Sequence, residues 1–200
     1  IVEADIVDAL AELRDKMIER RKEIEKTRRL TAAEDRVYQA VLLDIGVGID
    51  GGNVFYGNIG SDEHMANTVI GDNVNSSSRL EGLTRIYHLP VIVSEYIKDE
   101  VENVSTRYKF YEIDTVQVKG KTKGKKIYFP VDTYAQSASI VIEKFDKFKD
   151  GLEAYYKGDW SKARKKFKDC DHDVCEVFLE RMGRKSAPAK WSGIWTMTTK

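Results

Sequence analysis

The stretch Asp44–Gly82, DIGVGIDGGNVFYGNIGSDEHMANTVIGDNVNSSSRLEG, limits what this chain can fold into more than any other. Ile45, Val47 and Ile49 alternate with glycines, and Val54, Tyr56 and Asn58 alternate with Phe55, Gly57 and Ile59. A period of two is the signature of a strand, and Asp50-Gly51-Gly52-Asn53 between the runs predicts a β-hairpin turn. Gly46 and Gly48 leave one face of the first run bare. Glycine inside a strand marks close approach of a ligand or of another backbone, and the sequence leaves both open. Beyond Thr68-Val69-Ile70-Gly71 a helix is predicted from about Asn73 to Thr84, with Asp72 or Asn73 accepting from the unpaired amides of its first turn. Residues four apart share a helix face. Asn75 and Arg79 therefore project together and can serve one anionic ligand, the amide orienting it and the guanidinium neutralising its charge. The same pair is equally at home on a solvated surface.

Elsewhere the pattern alternates between strands and helices. Ile6, Leu10, Leu13, Met17 and Ile24 recur at helical spacing and predict an amphipathic helix over Val2–Arg28. Val91–Ser94 reads as a short buried strand, Glu95–Val101 as a helix, and Arg107–Ile113 and Ile127–Val131 as strands. Ala135–Ser139 is a run of small polar residues that reads as a linker, and composition turns helical from Ile140. The predicted class is α+β with a small all-α tail, divided into residues 1–133, a 134–139 linker and 140–200. Within the tail, Ala163 and Phe167 fall on one helix face, another helix is expected around Val177–Met182, and Trp191 and Trp195 are expected to cover apolar surface. One helix pair cannot bury its own face, so it must pack on the preceding domain, on its neighbouring helix or on a partner.

Composition narrows the function. Lys plus Arg number 33 against 33 Asp plus Glu, which argues against a nucleic-acid partner, since those proteins carry a basic excess. Apolar residues make up 42% of the chain, and no run of them reaches the roughly 20 residues that span a bilayer. A soluble, cytoplasmic protein is the expectation, and the start at Ile1, already in helical pattern, suggests further polypeptide upstream. Cys170 and Cys175 bracket His172, but zinc needs a fourth ligand and none is near, so reduced thiols are expected.

The string TVIGDNVNSSSRLEG, followed by Val118-Lys119-Gly120-Lys121 and Ile127-Tyr128-Phe129, resembles the second half of a class III adenylate cyclase catalytic domain. The resemblance implies a partial ferredoxin-like βαβ sheet with helices. It also implies roles: Asn75 orients the ribose of ATP, Arg79 stabilises charge developing at the α-phosphate, and Lys119 grips the terminal phosphates. Thr68 falls on a base-reading position in the form that favours ATP over GTP, whereas the second base-reading residue, a Lys, has no counterpart here. His64 stands near a position where many relatives carry a phosphate-contacting Arg. The family's metal-binding aspartates lie upstream, in F-x-D-I-x-G-F-T and G-D motifs, and neither motif occurs ahead of Gly46 in this chain. No metal ligand is assigned, and Mg²⁺ or Mn²⁺ is expected to be held by residues upstream. Two such ions normally activate the 3′-hydroxyl and balance the leaving pyrophosphate, so this chain alone is expected to be inactive. Such enzymes work as head-to-tail dimers with composite sites, and this chain carries mostly the substrate-side set. The tail resembles a tetratricopeptide-type helix pair. Two non-catalytic alternatives remain: a nucleotide-binding or dimerising regulatory module (or degenerate cyclase), and a helical protein-docking module.

Overall fold

The computed structural model describes residues 16, 18–34, 45–61, 64–117 and 124–196. They fall into two compact units, divided between Ile45 and Gly46. In the first unit, residues 18–27 are helical, within the amphipathic helix read from the sequence. The rest of that prediction lies outside the described residues.

The second unit is α+β. Its main sheet is built from β1 (Val47–Ile49), β4 (Val91–Ser94), β5 (Tyr108–Gln117), β6 (Lys125–Asp132) and β7 (Trp195–Thr196), in the order β1-β4-β6-β5-β7. The sheet is mixed: β1 runs parallel to β4 and β7 parallel to β5, while β6 is antiparallel to both β4 and β5. A separate two-stranded sheet pairs β2 (Phe55–Ser61) with β3 (His64–Ile70). The helices are α1 (Asp72–Tyr87), α2 (Glu95–Val104), α3 (Ala138–Tyr156), α4 (Trp160–Cys170) and α5 (Asp173–Met182).

The expected hairpin across Asp50–Asn53 does not form. β1 pairs with β4 instead, with Val47 opposite Val91, and the second apolar run pairs onward with β3, with Phe55 opposite Ile70. Both runs do form strands, but periodicity specifies a strand and not its partner. Gly46 and Gly48 explain the choice. A Cβ on Gly48 would overlap the backbone nitrogen of Glu81 and the carbonyl oxygen of Ser77, and one on Gly46 would overlap the Thr84 hydroxyl. The bare strand face is therefore covered by the backbone of α1, which resolves the question the glycines posed. Gly48→Ala is expected to destabilise the chain by about 1–3 kcal/mol through overpacking, measured as a lower urea midpoint.

Helix α1 starts and ends outside the predicted bounds. Gly71 takes the N-cap position with no side-chain cap, and Asp72 is already the first helical residue, placing its carboxylate at the positive end of the helix dipole. The helix continues to Tyr87 because Leu80, Leu83, Thr84 and Tyr87 keep a buried stripe at helical spacing. Strand β4 feeds straight into α2: the Ser94 hydroxyl accepts the Ile97 N–H at 3.3 Å.

Strands and tail share one hydrophobic core, in which Leu83, Tyr87, Ile92, Ile113 and Ile127 lie in the same cluster as Phe145, Phe148, Phe167 and Phe178. The tail is an antiparallel arrangement of α3 and α4 closed by α5, and α3 begins at Ala138, inside the stretch read as a linker. Gly151 lets the helices approach, since a Cβ there would meet the Phe167 ring at 2.7 Å. Trp191 covers the bundle as expected, donating from Nε1 to the Tyr155 carbonyl at 2.8 Å.

Cys170 and Cys175 are both free and buried, and His172 between them is a helix cap. Its Nδ1 accepts the Val174 N–H at 3.2 Å, and its ring packs edge-on against Phe145 at 4.9 Å. Burial holds its imidazole below the ordinary value. In the unfolded chain it titrates near about pH 6.5, so below that pH the unfolded state binds the extra proton and stability falls until the lower folded pKa is reached. His172→Asn, a cap that does not titrate in this range, is expected to flatten that part of the melting temperature against pH profile.

Candidate active site

Helix α1 is fastened at its start and along one side. Asn73 Nδ2 donates to the Asn53 carbonyl at 3.2 Å, and the Asp50 N–H donates to Ser77 Oγ at 3.0 Å, stitching the end of β1 to the helix. With Leu80, Leu83, Thr84 and Tyr87 turned inward, Asn75 and Arg79 fall on exposed positions four apart. On the same helix Arg85 pairs with Glu81. Among the described residues Arg79 has no ion-pair or hydrogen-bond partner, and neither does the Asn75 amide. A cation and an amide held on a rigid, buried-backed helix with their polar ends open to solvent suit recognition of an anionic ligand.

Thr68 lies on β3, half-buried and opposite Gly57, on the strand that runs through Gly71 into α1. His64 opens β3 opposite Ser61 and is exposed. Six residues of strand separate it from Ile70, about 20 Å at the usual rise. His64 therefore stands at the end of β3 away from Gly71 and the start of α1. Lys119 lies outside the described residues.

Groups of three or more His, Cys, Asp or Glu able to hold a metal ion are absent among the described residues. A cavity of about 690 Å³ lies elsewhere, bounded by Glu112, Thr115, Lys126 and Tyr128 of the sheet and Tyr156 of α3. It contains none of the predicted site residues.

Sequence reasoning missed a buried polar cluster. Tyr87 OH donates to Asp114 Oδ2 at 2.6 Å, while Arg181 donates through Nη1 to that oxygen at 2.5 Å and through Nη2 to Tyr87 OH at 2.8 Å. Burial, reinforced by the Asp114 charge, pushes the Tyr87 hydroxyl well above its usual value, so it stays a donor. The signal was present: Val174, Phe178 and Arg181 share one helical stripe, which puts a guanidinium on an apolar face, and Asp114 interrupts the buried run of β5.

Residues 3–132 match the family described as the adenylate and guanylate cyclase catalytic domain. This chain belongs to that family. An adenylate cyclase of Anabaena cylindrica is 39% identical over 89 residues, covering 43% of this chain and 17% of that protein. The terminal-differentiation-specific adenylate cyclase of Dictyostelium discoideum is 26% identical over 129 residues, 64% of this chain and 6% of its own length. This chain therefore spans only a small part of the curated relatives it matches. Among solved structures, the adenylyl cyclase CyaB from P. aeruginosa is 25% identical with a TM-score of 0.37, over 62% of this chain and 59% of that one. The assignment rests on the sequence match, which ends at Asp132, the last residue of β6. The α3–α5 tail lies beyond it. No helix among the described residues is long and apolar enough to cross a membrane.

Proposed function

We propose that this chain is the substrate-side portion of an adenylate cyclase that converts ATP to 3′,5′-cyclic AMP and pyrophosphate. The observation that carries the reading is the Asn75–Arg79 pair, exposed and without protein partners among the described residues, in a chain of the cyclase family. In this reading Asn75 orients the ribose and Arg79 meets negative charge growing at the α-phosphate, an interaction stronger in the transition state than in the ground state. Thr68, on the strand leading into α1, reads the base in the Thr-type manner and favours ATP over GTP. We assign the terminal phosphates to Lys119 and a secondary phosphate contact to His64, which its place at the far end of β3 suits only from across an interface. The carboxylates for Mg²⁺ or Mn²⁺ are assigned to polypeptide outside these 200 residues, since neither metal motif occurs ahead of Gly46, where the family carries them.

A head-to-tail dimer accompanies this reading. Tyr56 and Met65, which share one face of the β2–β3 sheet, are 72% and 61% exposed. A lone two-stranded sheet is marginal in water, and a second cyclase domain lying on it would cover this surface and face the open Asn75–Arg79 side. We keep a functional division at about residue 133, with a tetratricopeptide-like tail in a supporting role, and place the protein in the cytoplasm with its nucleotide.

The test is complementation. This chain is mixed with a cyclase polypeptide that keeps its metal carboxylates but has lost the arginine equivalent to Arg79, and cyclic AMP formed from ATP with Mn²⁺ is measured. Product only in the mixture supports the proposal. No product, with both polypeptides folded, overturns it.

A further inference from the structure

The family match stops at Asp132, yet a residue 49 positions further on is built into the centre of the domain. Asp114 and Tyr87 are fully buried, and the Arg181 side chain is only 8% exposed. The three belong to three elements: Tyr87 ends α1, Asp114 lies on β5 and Arg181 comes from α5 in the tail. Asp114 Oδ2 accepts from both partners, and its Oδ1 accepts the Thr115 N–H at 2.8 Å. The Arg181 guanidinium also stacks over the Tyr87 and Phe178 rings, at 5.2 and 5.0 Å. The tail holds β5 a second time, where β7 pairs in parallel with Val116 and Gln117.

A buried ion pair is weak evidence for net stability, because apolar residues of the same volume often serve as well. What hydrogen bonds add over apolar packing is direction. A planar fork that engages a carboxylate and a phenol together fixes the distance and angle between the elements carrying them. Here those elements are the strand at the centre of the core and the helix that presents Asn75 and Arg79.

We propose that the C-terminal tail is a positioning clamp for the nucleotide-facing helix: Arg181, through Asp114 and the Tyr87 hydroxyl, sets where α1 sits on the sheet and hence where Asn75 and Arg79 point. Arg181 and Tyr87 are positioning residues and touch no substrate. This inference rests on the adenylate cyclase reading only for its effect on turnover. The clamp itself is a property of the fold.

The test uses the full 200-residue chain and its Tyr87→Phe, Arg181→Lys and Arg181→Met variants, with folding checked by circular dichroism. Hydrogen–deuterium exchange is read over 72–87 and 108–117. Tyr87→Phe keeps the ring and deletes one hydroxyl. It is expected to speed exchange in the last turns of α1 by about tenfold, the scale of one hydrogen bond, and to leave the α3–α4 pair unchanged. In the complementation assay the same variant lowers turnover per folded molecule by about tenfold with KM for ATP unchanged, as for a lost transition-state contact. Arg181→Lys falls between wild type and Arg181→Met, because a point charge replaces the fork. Unchanged exchange in α1, or loosening spread evenly over the tail, overturns the clamp. So does a rise in KM that matches the fall in turnover. Should the wild-type mixture make no cyclic AMP, the cyclase reading falls, and the exchange contrast alone decides the clamp. If Tyr87→Phe does not fold, the Arg181→Lys and Arg181→Met pair supplies the same comparison.

Discussion

Arg79→Ala is expected to lower cyclic AMP turnover in the complemented enzyme by about a hundredfold to a thousandfold, the usual loss when one preorganised group facing transition-state charge is removed. ATP affinity is expected to change far less. Arg79 is exposed on α1, with no protein partner among the described residues. Truncation there opens no cavity and strands no buried charge, so the melting temperature should hold. Turnover and KM for ATP measured together make the distinction. Equal losses in binding and turnover would mean that Arg79 holds ground-state phosphate and does not act on the transition state.

Asp114→Ala carries the largest expected effect on stability. Its removal leaves the Arg181 guanidinium and the Tyr87 hydroxyl buried without their shared acceptor. Breaking one side of a buried pair in this way costs about 3–5 kcal/mol, and urea unfolding measures it. The double variant Asp114→Ala with Arg181→Met should recover part of that loss, since no uncompensated charge remains and the methionine fills apolar space. A double variant as unstable as the sum of its parts would mean that the two residues act independently. Recovery of stability without recovery of turnover is the pattern a positioning role requires.

Much of the fold was legible because it depends on local pattern. Alternation marked β1, β2 and much of β5, short apolar runs marked β4 and β6, and helical spacing marked α1 and the tail helices, so the mixture of strands and helices was readable from local pattern. Boundaries were less legible. Helix α1 runs on to Tyr87 because its buried stripe continues past Thr84, and α2 runs to Val104, beyond the expected end at Val101. Of the candidate site, the i, i+4 relation of Asn75 and Arg79 was readable from spacing, and the structure leaves both open on one exposed side. The place of His64 on a strand was not readable, because it follows from a pairing between residues fifteen to three positions apart in the chain, as Phe55 meets Ile70 and Ser61 meets His64.

The sequence by itself marked most of the strands and helices, β3 and β7 excepted, and determined that glycines 46 and 48 demand a close neighbour and that Asn75 and Arg79 share a face. Each of these depends on residues within a turn or two of one another, where backbone geometry leaves few options. Only the tertiary structure decided that the close neighbour is the backbone of α1, that β1 joins β4 and not β2, and that Arg181 reaches Asp114 across 67 positions of chain. Such partners are selected by how the whole core packs and by the need to give every buried polar group an acceptor or donor, conditions that no local window of sequence contains.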